Sequence, residues 1–409
     1  MATDERETPS VGERIRILRQ RRGLTQVTLA AMCGRGEDWI KRIENGKRGT
    51  TLSQLARIAH ALGVTDLSDL TGTDIGMPVV SGRAVHDAVG PIRQAVRSVT
   101  LAPAPKQAES PEILAHRARS GWQLWHRSKF ARTEVGAMLP DLIADVHNAA
   151  RLREGNERRA VYTVMTDVYA LTQQVLAYVS EPELYWAVAD RIQMAAQQAD
   201  KPHALGLAAW CMANGLRHTA DPHDAITTVE QALTLLQPHL EDADADLRGL
   251  AGALHLHAAV SFAQQGREGD AWREWDSADD IAHRLGSGYL HLPTVFGLDN
   301  TAVHGVAIAT EVSKSGTALD RASSIAAESL PSTERASRLL VDAARAHHQR
   351  KDALGAVHEL NHALDVAPEN TRAIPSAQSL ALDLSRTRPA SLAAQVGETL
   401  DRMGLSGTP

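Results

Sequence analysis

Three observations on this 409-residue chain predict an all-α protein. From about Ser110 to Met403 one amphipathic helical segment follows another with no convincing strand. Before residue 72, apolar residues recur at helical spacing and are punctuated by glycines. Only three Phe and five Tyr occur in the whole chain, too few for a large β-sandwich. The expected architecture is a five-helix unit over residues 1–72, a connector with one helix over 73–109, and an α-solenoid of helical repeats over 110–409.

The N-terminal elements follow in order. Ile15, Leu18 and Arg22 mark the first helix, and Gly23 is its expected terminator, because glycine enters the left-handed conformation without strain. Thr25 is the expected N-cap of a second helix with Leu29 and Ala30 inward, ended by Gly34. A third helix runs from about Gly36 to Asn45. Ile40 and Ile43 face inward on it, and Glu37, Asp38, Lys41 and Arg42 face outward. Gly46 stops it. Thr51, Leu52, Leu55, Ile58, Ala59 and Leu62 then form a fourth helix, and Leu67 to Leu70 closes the unit. A positioning helix, a tight turn and a third helix with a free polar face are what insertion into a DNA major groove requires.

With these residues in place, Gly23-Leu24-Thr25-Gln26, Leu29-Ala30, Gly34, Ile40 and Ile43-Glu44-Asn45-Gly46-Lys47, the segment 12–71 resembles the XRE family of Cro and phage-repressor type. The resemblance implies that Gln26 contacts a phosphate and braces the recognition helix, while Thr25 and Asn45 approach the backbone. It also implies that Glu37, Asp38, Lys41 and Arg42 face base edges, and that Arg19 forms a buried ion pair with Glu44. Two positions depart from the family pattern: Gly36 replaces a Ser or Thr cap, and Thr28 replaces a frequent Glu. Arg16, Arg21, Arg22, Lys47 and Arg48 are read as phosphate contacts rather than plain solvated surface. Two readings stay open for Glu37 and Asp38, which phosphate repels: support of the helix N-terminus, or acceptance from cytosine amino groups. Trp39 is expected wedged at the surface of the unit rather than between bases.

Charge divides the chain. Up to Gly72 there are twelve Lys/Arg against nine Asp/Glu, and the remainder carries 31 against 40, consistent with the net −6. The basic end is the one suited to DNA. Cys33 and Cys211 are too few for a disulfide framework or a cysteine zinc site, which fits a reducing cytoplasm. The N-terminus has no apolar secretory core, and no run approaches 18 apolar residues, so neither export nor a membrane partner is expected.

Gly72 to Gly82 and Ala102-Pro103-Ala104-Pro105 have connector composition, with a helix expected between them from about Val85 to Val99. The solenoid opens at Ser110-Pro111-Glu112, a cap, a first-turn proline and a dipole-complementing carboxylate. Segments aligned on alanines give 34-residue units at about 206–239, 252–285 and 337–370, with degenerate units at 160–199 and 302–327. Ala259, Phe262, Gly266, Ala271, Trp275 and Ala278 mark the middle unit, and Leu340, Ala344, Gly355-Ala356, Leu360 and Ala363 the last. This half resembles a tetratricopeptide solenoid, and the combination resembles peptide-responsive quorum-sensing regulators. That resemblance implies sensing of a peptide, small molecule or protein, and homodimerisation through the solenoid.

In such repeats the first helix of each pair faces the concave side. The resemblance places Trp210, Asn214 and Arg217 there, with Arg338, Arg345 and His348 from the last unit. Asn300 and His304, four apart, are candidates to join them. Arg, Asn and Trp over an apolar floor of Ala253, Leu256, Val260 and Ala263 suit an extended peptide or an acidic small molecule. The alternative is that these side chains pair with the surplus acidic groups of this half. His255 with His257, and His347 with His348, do not share a helical face, so no metal site is expected. No phosphate-binding glycine loop, Gly-x-Ser-x-Gly elbow or His-Glu-x-x-His is present. The sequence therefore reads as a transcriptional regulator acting on a double-stranded operator, with no catalytic residue and no cofactor. The rival reading is a protein-interaction scaffold that its DNA-binding unit tethers.

Overall fold

The computed structural model describes residues 10–22, 24–33, 35–50, 52–62, 64, 70, 86–98, 106–219, 222–387 and 390–405. The chain divides into two compact units, Met1–Ala84 and Val85–Pro409.

The first unit contains α1 (Val11–Arg21), α2 (Gln26–Met32), α3 (Glu37–Glu44) and α4 (Leu52–Ala61). α1 starts on a capping box. Ser10 Oγ accepts from the Glu13 N–H, and the Glu13 carboxylate accepts from the Ser10 N–H at 2.8 Å, so two orphan donors are satisfied at once. Ile15, Leu29, Ala30, Ile40, Ile43, Ile58 and Leu62 form the core with Leu70. α1 crosses the end of α3 so closely that a Cβ on Gly12 would lie 2.3 Å from the Ile43 carbonyl oxygen. Gly46 has φ +68°, the left-handed geometry expected of the stop after α3. Gly23, Gly34, Thr51 and 67–69 lie outside the described residues. One expectation is corrected. Trp39 is not a surface wedge; it is 9% exposed and belongs to the same buried cluster as Leu29, Ile40 and Ile58, so apolar burial takes the indole inward.

The second unit begins with α5 (Val89–Ser98), followed by α6 (Pro111–Arg127), α7 (Ala131–Leu152), α8 (Gly155–Leu176), α9 (Pro182–Ala199), α10 (Pro202–Thr219) and α11 (Pro222–Leu236). After these come α12 (Ala245–Gln264), α13 (Glu268–Leu285), α14 (Leu298–Glu311), α15 (Ser315–Ser323), α16 (Thr333–Gln349) and α17 (Ala353–Val366). α18 (Pro368–Ala373), α19 (Pro375–Thr387) and α20 (Ala393–Met403) complete it. Among the described residues the β geometry is confined to one bridge, His291 with Phe296.

Consecutive helices pair as antiparallel hairpins, and α8, α10, α12, α14 and α16 also stack on one another. The architecture is therefore a tetratricopeptide-like α-solenoid whose first helices form a continuous inner layer. Helix starts follow caps. Ser110 accepts from the Ile113 N–H, Asp244 from Leu247 at 2.8 Å, and Asp352 from Gly355 at 2.9 Å. Small residues permit the close crossings. A Cβ on Gly252 would lie 2.1 Å from the Phe296 ring, and one on Gly206 would lie 2.8 Å from Leu250. The helix expected near 85–99 is α5, and it packs on α7, where a Cβ on Gly136 would lie 2.4 Å from Ala88 Cβ.

The solenoid closes on itself. His126 at the end of α6 bonds Ser332 Oγ at 3.1 Å and the Leu292 carbonyl at 2.8 Å, and Thr333 Oγ1 donates to the Ser128 carbonyl at 3.0 Å. Phe130, the N-cap of α7, supplies no side-chain cap. Glu369 of α18 does so across the ring, accepting from the Arg132 N–H at 3.0 Å, the Thr133 N–H at 3.2 Å and the Thr133 hydroxyl. A carboxylate at that end also complements the helix dipole.

Candidate nucleic-acid interface

The polar framework of the first unit is built around Glu44, whose side chain is fully buried. Its Oε1 accepts from Arg19 Nε at 2.6 Å, and its Oε2 accepts from Arg19 Nη2 at 2.9 Å and from Gln26 Nε2 at 2.7 Å. Arg19 Nη1 donates to the Leu24 carbonyl at 2.7 Å. One buried carboxylate thus ties α1, the turn before α2, the start of α2 and the end of α3 together. The bidentate pairing with Glu44 raises the pKa of Arg19 above the usual arginine range.

Thr25 caps α2 by accepting from the Thr28 N–H at 3.0 Å, and the two hydroxyls lie 2.8 Å apart. Thr28 therefore closes the turn where the family pattern has Glu. Gly36, the N-cap of α3, offers no side-chain bond, and a Cβ there would meet nothing within 4 Å, so space does not demand glycine.

Glu37, Asp38, Lys41 and Arg42 are all exposed on α3. Asp38 and Arg42, one turn apart, pair at 2.8 Å, so the carboxylate partly neutralises the guanidinium in the free protein. Glu37 and Asp38 occupy the first turn, where they complement the helix dipole. Asn45, Lys47 and Arg48 continue the exposed surface past the end of α3, and Thr25 is exposed at the start of α2. Gln26 is half-buried, with its amide nitrogen engaged by Glu44.

The eight residues read as lining the solenoid groove fall into two groups. Trp210, Asn214 and Asn300 are buried. Trp210 meets the His257 ring edge-on at 5.2 Å, and Asn214 Oδ1 accepts from Arg217 Nη2 at 3.4 Å. Asn300 donates to the Thr294 carbonyl at 3.3 Å, and its carbonyl oxygen on the main chain bonds His304 Nδ1 at 2.7 Å. Arg217, His304, Arg338, Arg345 and His348 are half-buried. Arg338 donates to Glu334 at 2.8 Å, and Arg345 reaches Glu311 at 2.8 Å and Asp342 at 2.9 Å. Burial, then the charge of Arg335, pushes His304 down to about 3. The histidine pairs diverge as helical geometry requires: His255 bonds Glu274 at 2.7 Å while His257 packs on Trp210, and His347 bonds Asp352 at 2.8 Å. Among the described residues no group of three His, Cys, Asp or Glu converges on a metal position. No helix among them is long and apolar enough to cross a membrane.

Sequence reasoning did not find the closure residues His126, Glu369 and Thr133, nor Arg132, which donates to the Val175 carbonyl, nor the pair of Glu334 with Arg335. Glu369 and His126 act on chain more than 160 residues away, so no local pattern announces them.

Residues 10–70 match the helix-turn-helix domain family. The uncharacterized HTH-type transcriptional regulator y4dJ of Sinorhizobium fredii is 36% identical over 64 residues, which cover 16% of this chain and 83% of that protein. Among solved structures, PlcR of Bacillus thuringiensis, in complex with the peptide PapR7 and DNA, aligns over 84% of this chain and 98% of its own. The identity there is 13% and the TM-score 0.29. The competence regulator ComR of Streptococcus vestibularis, in its apo form, aligns over 73% and 97%, at 14% identity and a TM-score of 0.26.

The chain belongs to the XRE-type helix-turn-helix transcriptional regulators, here carrying a tetratricopeptide-like unit. It is a DNA-binding regulator of transcription.

Proposed function

We propose that this regulator is a cytoplasmic homodimer that reads a two-fold related operator with α3 and senses an effector in its solenoid. The observation that carries the reading is the pairing of two separately built features in one chain. The Glu44-centred brace fixes α3 with its polar face exposed, and a second compact unit carries arginine, asparagine and histidine on the stacked helices α10, α14 and α16.

In this reading Lys41 and Arg42 contact base edges, with Glu37 and Asp38 at the helix N-terminus. Thr25, Gln26, Asn45, Lys47 and Arg48 contact the phosphate backbone. Gln26 keeps one amide hydrogen and its carbonyl oxygen beyond the bond to Glu44, so it can brace and bind together. One such domain reads few bases, so specificity requires two copies on half-sites about 34–36 Å apart or a multiple of that spacing. The inner-layer residues Trp210, Asn214, Arg217, Asn300, His304, Arg338, Arg345 and His348 are the candidate effector region. An effector changes operator affinity only through its differential affinity for two arrangements of the protein, and a tenfold change needs about 1.4 kcal/mol of coupling.

The experiment is protection mapping of genomic DNA by the full chain, with and without cell extract. Protected two-fold sites whose occupancy the extract alters support the reading. Absence of any sequence-specific protection overturns it in favour of non-specific tethering.

A further inference from the structure

The segment 286–297, between α13 and α14, is built as a wall and not as a loose connection. Tyr289 packs where a Cβ on Gly249 of α12 would lie 2.1 Å from its hydroxyl, and Phe296 lies equally close over Gly252. The His291 N–H donates to the Phe296 carbonyl at 2.9 Å, and His291 Nδ1 bonds Thr294 Oγ1 at 2.7 Å. His291 Nε2 also reaches His203 Nε2 of α10 at 3.0 Å, and the Leu292 carbonyl holds His126 of α6 at 2.8 Å. Within this frame Val295 is buried with φ +57°, a left-handed conformation that a β-branched residue adopts only under strain. Strained positions persist where the surroundings over-determine them, and they cluster at ligand clamps.

A cleft of about 60 Å³ opens between this segment, the start of α14 and Pro331 ahead of α16. One water needs roughly 10–15 Å³, so the cleft has room for a molecule of a few non-hydrogen atoms. Leu290, Val295, Leu298 and Pro331 give it apolar walls. The first turn of α14 contributes backbone N–H groups that the helix itself leaves unpaired, and Gly297, its N-cap, has no side chain to satisfy them. That end of the helix favours a carboxylate.

The second polar feature has the opposite demand. Asn300 lines the cleft and is only 3% exposed. Its Nδ2 donates to the Thr294 carbonyl at 3.3 Å, away from the cleft wall, whereas its Oδ1 is buried and accepts no hydrogen bond among the described residues. A buried acceptor costs free energy until a donor reaches it. Asp299, exposed on the same wall, adds a carboxylate beside it. A simple anion would meet the N–H groups but leave Asn300 Oδ1 unpaired and face Asp299. A simple amine would do the reverse. A molecule that carries a carboxylate and an ammonium on one carbon meets both demands, and the small cleft with apolar walls restricts its side chain to a short one.

We propose that the cleft at the start of α14 binds a small free α-amino acid, with its carboxylate on the N–H groups of Leu298, Asp299 and Asn300 and its ammonium between Asn300 Oδ1 and Asp299. The regulatory meaning of this site rests on the sensing reading above, which it deepens by naming the effector class; binding itself does not.

The test is isothermal titration of the full chain with glycine, L-alanine and L-serine, and with acetate and methylammonium as the two half-ligands, at constant ionic strength. One saturable site per chain is expected for at least one of the amino acids, with each half-ligand weaker by about tenfold or more. Asn300→Leu should weaken binding by about tenfold or more, and Asp299→Asn by about threefold. Asp280→Asn, on the outer helix α13, should leave it unchanged. Asp299 is exposed, so its variant reports even if circular dichroism melting shows Asn300→Leu to be unfolded. Absence of saturable binding by all three amino acids, binding of acetate or methylammonium as tight as theirs, or equal weakening by Asp299→Asn and Asp280→Asn overturns the inference. Saturable binding that leaves operator affinity unchanged sustains the amino-acid site and removes its role in sensing. An extract response that persists while no amino acid binds sustains the sensing reading and removes this site.

Discussion

Replacing Glu44 by Ala is the sharpest probe of how the first unit holds α3. Glu44 accepts three bonds, two from Arg19 at 2.6 and 2.9 Å and one from Gln26 at 2.7 Å, and its side chain is fully buried. Its removal leaves the Arg19 guanidinium, whose side chain is only 10% exposed, with the Leu24 carbonyl as its remaining hydrogen-bond partner among the described residues. Stranding one member of a buried pair costs roughly 3–5 kcal/mol, and loss of the cavity-filling methylenes adds to it. Arg19→Ala should cost a similar amount, because it strands the carboxylate. The double variant Arg19→Met/Glu44→Leu removes both charges and should recover most of the loss, since apolar replacement of a whole buried pair is often close to neutral. Amide hydrogen exchange in the full chain, read over Leu29 to Cys33 and Ile40 to Glu44, reports the opening free energy of this unit. Changes below about 1 kcal/mol in both single variants would refute the reasoning, because the pair would then behave as an exposed one.

Four other outcomes follow from the same structure. Arg42→Ala should relax base preference by roughly 1–3 kcal/mol at one operator position, and Arg48→Ala should weaken all sequences alike and lower the salt slope by about one phosphate; competition binding at several salt concentrations separates the two. Gly12→Ala places a methyl on the Ile43 carbonyl, which is backbone and cannot rotate away, so denaturant unfolding should register roughly 1–3 kcal/mol of loss. Burial pushes His126 down to about 4, so unfolding takes up a proton between that value and the unfolded value near 6.5. The unfolded state then binds more protons, stability falls as pH falls, and His126 alone contributes on the order of 2 kcal/mol of loss from pH 7 to 5. His147, pushed down to about 4, adds in the same direction, and a melting temperature that stayed flat over that range would contradict both. Glu369 is depressed because bonds from His86 and Thr133 outweigh the effect of burial, so its contribution is present above about pH 4.5 and disappears as pH drops through its lowered pKa. Glu369→Gln should loosen the ring closure at neutral pH, seen as faster exchange at the start of α7.

The fold class was legible because its signals are local. Glycine after a periodic apolar run marked the end of α3, and Gly46 does adopt φ +68°. Ser110 with Pro111 marked the start of α6. Repeat boundaries were legible only to within several residues. Alanine alignment starts the units at 206, 252 and 337, whereas α10, α12 and α16 start at Pro202, Ala245 and Thr333. Alanines report where helices cross, while caps such as Asp244 and Ser332 decide where they begin. The Ser-x-x-Glu spacing of Ser10 and Glu13 carries the capping-box signature by itself.

The inner face of the solenoid was the hardest part to read. Repeat position directs Trp210 and Asn214 inward, but it does not say how tightly the next repeat packs against them, and both are buried. The charge partners of Arg338 and Arg345 lie on α16 itself and on α14, so pairing could be anticipated as a class but not assigned. Arg132 and Glu369 join this region only because the ring closes over more than 230 residues of sequence, a tertiary event without a local signature.

The central claim is that α3 reads DNA as one of a symmetric pair. Selection of duplexes from a random pool by the full chain, in parallel with Arg42→Ala, tests it most directly. The account predicts an enriched two-fold motif with half-sites about 34–36 Å apart or a multiple of that spacing, and a change at one position of each half-site in the variant. Enrichment of no motif, or of a motif that Arg42→Ala leaves unaltered, would contradict it.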